Sequence, residues 1–262
     1  MPRRLTHVVY PYGAGPSARR LNRELTRLGY QGPLVNWGSA DTNAEEPYER
    51  HWINRAASVA LASNKRRALE ELRLTGVPCP REASMRGPWP QVLRADRHHA
   101  GSAFWLANTE DEAQLALLRG ATHAMEYIPN AREFRVHVAF GKSIKLTEKQ
   151  HPLQGEMGEW DALVPVIRSH AHGWRHQLPR PDAHKVTLRR HAKDAVRALG
   201  LDFGAVDVLM RGSIDINAQN NAEFFVLEVN TAPGFAGEAD TATRYARAFN
   251  QAALSQQAAT GE

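Results

Sequence analysis

Residues 200–237 read GLDFGAVDVLMRGSIDINAQNNAEFFVLEVNTAPGFAG, and two apolar runs inside this stretch decide how the rest of the chain is organised. The first, 203–210, is apolar except for Gly204 and Asp207; the second, 224–229, is apolar until Glu228. Each has the length and composition of a β-strand with one carboxylate near its end. An unpaired ionised carboxylate among Val, Leu and Phe costs several kcal/mol or protonates. Two carboxylates and the amide oxygen of Asn230 sharing a magnesium ion would be satisfied together. The run 213–223 between them holds the turn formers Asp215, Asn217, Asn220 and Asn221, so a hairpin with Asp207 and Glu228 side by side is expected. The plainer alternative is a pair of capping or salt-bridged carboxylates at strand ends.

Working outward, 262 residues that are 42% hydrophobic suffice for a sizeable core, as one large domain or two small ones. The single cysteine, Cys79, excludes an internal disulfide. With no signal-peptide pattern and no apolar run of about 18 residues, a soluble cytoplasmic protein without a membrane partner is expected. The excess of 33 Lys and Arg over 28 Asp and Glu is small and spread along the chain. It permits anionic ligands without indicating nucleic acid. No internal repeat is present, and nothing signals the oligomeric state.

From the N-terminus, residues 7–10 form a strand candidate and 11–16 a turn. Ser17 is placed to cap a helix with Leu21, Leu25 and Leu28 on one face, and 34–37 is a second strand, giving a β-α-β start. Gly13 and Gly15 fit a tight turn better than a phosphate loop, because the full dinucleotide fingerprint is missing. After a loop at 41–48, helices are expected around 51–61 and from Asn64 and Lys65 to Gly76. Strands follow at 91–94 and 104–106 around the loop 95–103. Thr109 and Glu112 make a capping-box pattern for a helix through Leu118. Residues 133–138 alternate polar and apolar, as a strand with one face in a cleft would, and 143–147 return after a turn at 140–142, followed by the charged Glu148 and Lys149. Leu188, Ala192, Ala195, Val196 and Leu199 share a helical face, Tyr245 and Phe249 mark a last amphipathic helix, and a frayed tail is expected from Gln256.

The arrangement of Asp207 on one strand and Glu228-Val229-Asn230-Thr231-Ala232-Pro233-Gly234 at the end of the next resembles the metal-binding hairpin of the ATP-grasp superfamily, most of all its RimK-like amino-acid ligases. The resemblance spans about residues 60–250. It implies an ATP-grasp fold, α+β with α/β character, in which two α+β subdomains clasp ATP behind a small β-α-β N-terminal domain. The implied division is 1–60 for that domain, 61–120 for the central subdomain with the phosphate loop, and 121–262 for the subdomain with the hairpin. Asp207, Glu228 and Asn230 would hold two magnesium ions, or manganese in their place, against the ATP phosphates.

Further roles follow from the same resemblance. Lys65, at the start of a helix ending in Gly76-Val77-Pro78, would contact phosphate; a solvated lysine beside Arg66 and Arg67 is the alternative. Arg94 stands where the family has a Lys, and a guanidinium grips phosphate with two parallel hydrogen bonds. The loop that would cover the phosphates keeps one glycine, Gly101, beside Ser102; His98 and His99 are further phosphate donors or plain exposed histidines. Glu126, Tyr127 and Ile128 match the hinge that reads adenine. In the E-x-R-V run Glu133 would meet the ribose and Arg135 the phosphate or substrate, with a cross-strand salt bridge as the alternative. Arg168 lies in a segment matching one that approaches the acceptor and the acyl phosphate. Zinc at His170, His172 and His176 lacks a fourth ligand at a recognised spacing.

The implied activity is ATP- and magnesium-dependent joining of a carboxylate to an amine, on small molecules or peptides, through an acyl phosphate. Arg135 and Arg168 would act catalytically on it. A kinase that phosphorylates a hydroxyl is the second reading, and a basic nucleic-acid-binding protein, whose binding would weaken steeply with salt, is the third.

Overall fold

The computed structural model describes residues 2–41, 52–95, 103–154, 166–181, 183–212 and 222–260. At the N-terminus β1 (Arg3–Arg4) runs antiparallel to β2 (Val8–Tyr10); α1 (Gly15–Arg27) then crosses to β3 (Val35–Asn36), which lies parallel to β2. This is the expected β-α-β start, with β1 added. Ser17 does not cap α1, because the helix begins two residues earlier, after a 3-10 turn at Tyr12–Ala14. Its hydroxyl instead donates to Ala14 O and accepts from Trp37 Nε1 at 3.0 Å, tying helix to strand.

Next come α2 (Ala56–Ser63) and α3 (Lys65–Leu74), and α3 has its own N-cap, since Asn64 Oδ1 accepts from Arg67 N at 3.2 Å. A four-stranded sheet follows, built from β4 (Glu82–Ala83), β5 (Gln91–Arg94), β6 (Phe104–Ala107) and β7 (His123–Glu126) in the order β4-β7-β5-β6, with α4 (Glu110–Leu118) packed on it. Thr109 caps α4 as expected, but Glu112 reaches one residue further back than a capping box requires and accepts from Asn108 N at 2.6 Å. Because β7 lies beyond residue 120, this sheet extends past the boundary drawn from sequence.

The five-stranded antiparallel sheet has the order β10-β9-β8-β11-β12, formed by β8 (Arg132–Ala139), β9 (Lys142–Gln150), β10 (Arg175–Gln177), β11 (Phe203–Arg211) and β12 (Glu223–Asn230), with α5 (Lys185–Ala198) between β10 and β11 in sequence. Side chains alternate across it. Phe134, Val136, Val138, Val206, Val208, Met210 and Val226 pack with α2, α3 and α5 in one core. The odd-numbered residues of β8 and β11, together with Lys145, Thr147 and Lys149 of β9, therefore face the other way, and most of them are polar.

The last helix, α6 (Thr241–Thr260), is longer than expected: residues 256–260 stay helical, as Gln and Ala favour. Tyr245 and Phe249 share a core with Leu21, Leu25 and Trp37 of the N-terminal segment and with Phe203 of β11, so chain start and chain end are packed together. Among the described residues no helix is long and apolar enough to cross a membrane.

Candidate active site

Hairpin pairing sets Asp207 directly opposite Glu228 and Ala205 opposite Asn230. One feature of the pairing is absent from the sequence pattern. Between Asp207 and Val208 the register shifts, leaving Leu227 as an extra residue on β12. Strict alternation would turn Leu227 and Glu228 to opposite faces; the bulge lets both line the same cavity.

That cavity has a volume of about 800 Å³ and brings together almost every site residue expected from sequence. Lys65, Arg94, Glu126, Tyr127, Ile128, Glu133, Arg135, Arg168, Asp207, Glu228 and Asn230 all line it. Gly101 and Ser102, like His98 and His99, lie outside the described residues. Its ends differ because β11 runs between two cores. Leu209 packs against Ile128, so that end is an apolar slot with Val92, Met125, Tyr127 and Leu227. Phe203, at the start of β11, belongs to the N-terminal core. There the lining is uncharged and includes small residues: Gly13, Ala14 and Ser17 from the N-terminal segment, and Ala232, Gly234 and Ala236 after β12, with Phe235 among them.

Between the ends lies a layer of ion pairs. Arg135 donates through Nε and Nη2 to both oxygens of Asp207, at 2.7 and 2.8 Å. Lys65, the first residue of α3, places Nζ 2.5 Å from Glu228 Oε2. Asn230 Nδ2 donates to Glu228 Oε1 at 3.1 Å and to Asp207 Oδ2 at 3.3 Å. Burial alone would raise the Asp207 pKa, but Arg135 and Lys149 overcome it and hold the carboxyl well below its usual range. Burial also works against Glu228, as does the charge of Asp207, yet Lys65 brings its pKa down to about 2. Both carboxylates are ionised at neutral pH.

Glu133 is almost wholly buried, and its carboxylate accepts from Lys149 and lies 3.5 Å from Arg168 Nη1. The E-x-R-V run thus makes ion pairs, but the two residues do not pair with each other: Arg135 goes to Asp207 and Glu133 to Lys149 and Arg168. Arg168 also donates to Ala131 O at 2.6 Å and stacks over Trp174 at 5.4 Å, which seats its segment against β8. Burial lowers its pKa, with Glu133 acting against that. Glu126 uses its side chain on the backbone, accepting from Arg81 N at 2.9 Å, while Tyr127 and Ile128 supply apolar wall.

Among the lining residues to which sequence reasoning gave no part in this cavity are Lys149 and His176. Lys149 sits opposite Glu133 on β9, 3.9 Å from Asp207 Oδ2; the period-two run Lys145, Thr147, Lys149 was the available signal. His176, on the edge strand β10, is fixed by Thr147 Oγ1 at 3.1 Å from Nδ1, and burial together with Arg135 lowers its pKa to about 3, so it is neutral.

Neither a family model nor a curated protein matches the chain. Among solved structures it is similar to the D-alanine–D-alanine ligase of Bacillus anthracis complexed with ATP, at 12% identity over 95% of this chain and 96% of that one, with a TM-score of 0.61. It is similar also to a RimK domain ATP-grasp protein of Sphaerobacter thermophilus DSM 20745, at 16% identity over 88% and 94% of the two chains, with a TM-score of 0.58. With biotin carboxylase of Campylobacter jejuni the identity is 17% and the TM-score 0.59, over 89% of this chain but 57% of that one. At such identities the likeness is one of architecture: the chain has the ATP-grasp fold.

Proposed function

We propose that this protein is an ATP- and divalent-metal-dependent ligase that joins a carboxylate to an amine. The observation that carries the reading is the facing pair Asp207 and Glu228, both ionised, with Asn230 beside them and Lys65, Arg135 and Lys149 around them in one cavity. Carboxylate and amide oxygens are the donors that a hard cation such as magnesium or manganese takes, and the chemistry of the set fits it. Arg135 and Lys65 now balance the charge that such an ion would balance. When bound, the ion would neutralise phosphate oxygens and stabilise charge developing in phosphoryl transfer.

The chain's own residues supply the rest. Tyr127, Ile128, Met125, Leu209 and Leu227 form an apolar slot suited to a flat base. Lys65, Arg94 and Lys149 offset the negative charge of a triphosphate, so that a second anion, the substrate carboxylate, can approach. Arg135, held side-on by Asp207, would meet phosphate or substrate; Arg168 pairs with Glu133 beside Lys149. We read the two sheets as the two halves of the clasp, with the N-terminal segment closing the substrate end. Attack of the carboxylate on the γ-phosphate would give an acyl phosphate and ADP, and attack of an amine would then give the amide and free phosphate. No protein nucleophile is required, and burial pushes the Cys79 thiol up to about 12, away from reactivity.

The test is ADP release by purified protein with magnesium, ATP and pools of amino acids, peptides and polyamines, for wild type and Glu228→Gln. A ligase releases phosphate only when carboxylate and amine are both present, and the variant should lose turnover by about a thousandfold or more and lose its thermal stabilisation by Mg-ATP. A phosphorylated hydroxyl product would favour a kinase, and an unchanged Mg-ATP shift in Glu228→Gln would remove the hairpin from the site.

A further inference from the structure

Taken over the whole chain the positive excess is small, but it is not even. Residues 2–41 hold six arginines and no lysine against two carboxylates, Glu24 and Asp41. Three of these arginines, Arg19, Arg23 and Arg27, recur at every fourth position of α1 and are exposed, while Leu21 and Leu25 on its other side are fully buried. Like charges four residues apart weaken a helix. Glu24 relieves Arg27 at 2.9 Å, but among the described residues no carboxylate pairs with Arg19 or Arg23. The stripe does not stabilise α1.

It begins at the cavity. The helix starts at Gly15, and Gly13, Ala14, Pro16 and Ser17 around its first turn line the uncharged end. A Cβ placed on Gly15 would lie 2.9 Å from Arg19 Nη1 and 3.5 Å from the Tyr10 ring. Tyr10 stands opposite Arg3 across β1 and β2, where paired side chains share a face, and the Arg3 guanidinium lies over the Tyr12 ring at 4.7 Å. Arg3, Tyr12 and Arg19 therefore gather at the rim. Tyr12 is 82% exposed, an aromatic ring held out to solvent in the same turn as Gly13 and Ala14.

A row of guanidinium groups suits a row of phosphates, since each grips two oxygens and keeps its charge. Four helical residues advance about 6 Å, close to the spacing of successive phosphates in an extended strand. The exposed ring suits a base stacked on it, with Arg3 adding a cation to the stack. An acidic peptide would use the charges and leave the ring idle.

We propose that a single-stranded nucleic acid lies along Arg19 and Arg23, stacks a base on Tyr12 and brings that nucleotide to the uncharged end of the cavity, carrying one of the two groups to be joined. The last step rests on the ligase reading; binding of the strand is measured without ATP or magnesium, so its failure is distinct from a failure of the Mg-ATP melts. Fluorescence anisotropy would use labelled oligo-uridine and oligo-thymidine, about twelve residues long, with oligoglutamate of the same length as competitor.

Wild type should bind at least one of the two strands, with affinity falling about tenfold or more between 50 and 200 mM salt. The tighter strand names the sugar. Arg19→Glu and Arg23→Glu should each weaken binding about tenfold, and Tyr12→Ala about fivefold or more. Arg189→Glu with Arg190→Glu, on the exposed side of α5 across the sheet from the cavity, should stay within about twofold of wild type. A 4-thiouracil at the end of the strand should crosslink to residues 13–17 or 232–236, which line that end of the cavity. No binding of either strand, equal losses from the α5 variant, displacement by oligoglutamate at equal concentration, or crosslinks confined to other segments would each overturn the proposal.

Discussion

Two buried carboxylate centres lie on opposite faces of the five-stranded sheet, and they are built differently. On the helix-packed face, Glu148 is fully buried and accepts four hydrogen bonds: from Nε and Nη2 of Arg132 at 2.8 and 2.9 Å, and from N and Nη1 of Arg180 at 2.9 and 2.6 Å. Nothing is left for a ligand, and the cluster clasps the segment around residue 180 to the sheet. On the cavity face, Asp207, Glu228 and Glu133 share Arg135, Lys65, Lys149 and Arg168 in a layer open to a large void. A saturated centre holds a fold together; an open one can exchange its partners for a ligand's charges.

The widest separation between the two centres should come from paired variants. Asp207→Asn is expected to lower turnover by about a thousandfold or more, with a smaller loss of stability because Arg135 also feels Glu228 and Glu238. Glu148→Ala strands two arginines in a buried site and should cost about 3–5 kcal/mol, read as a lower urea midpoint. If Asp207→Asn unfolded as easily as Glu148→Ala yet kept its turnover, the cavity face would be another structural ion-pair layer.

Glu133 tests the middle ground. From sequence it was expected to bind ribose, which would raise KM for ATP and spare kcat. Its ion pairs with Lys149 and Arg168 add a second consequence, so Glu133→Ala should raise KM and also lower kcat, about tenfold each, in steady-state assays. A pure KM effect would return Glu133 to ribose binding alone.

At neutral pH the smallest effect concerns His176, whose pKa falls from 6.5 to about 3 in the fold. The unfolded chain takes up a proton below pH 6.5 that the folded protein refuses, so this contribution to stability is complete above about 6.5 and is lost as pH falls toward 3. His176→Asn should flatten the acid side of the stability profile by up to about 1.4 kcal/mol per pH unit in that window. An unchanged slope would mean that the ring is solvated.

Two adjacent carboxylates taken by themselves would repel, so that neutralising Glu228 would relieve the pair. Asp207 does push the Glu228 pKa up, but Lys65 outweighs it, and Glu228→Gln therefore removes an attraction from the apo protein. A lysine placed at the first turn of α3 and a glutamate at the end of β12 are 163 residues apart, and no local pattern links them.

The sequence by itself determined what local chemistry determines. Two apolar runs and the turn formers between them placed the strands of the hairpin, so Asp207 and Glu228 were legible as neighbours; caps at Asn64 and Thr109 placed α3 and α4; and E-x-N-x-x-P-G carried the resemblance to the fold. Tertiary structure alone decided the partners. The bulge at Leu227 turned two consecutive side chains into one cavity, β9 brought Lys149 under Asp207, and β10 carried Arg175 and His176 to a wall built from distant segments. Strand and helix periods are written in neighbouring residues, whereas an ion pair or a cavity wall depends on which elements meet, and that follows from burial of the whole apolar surface at once.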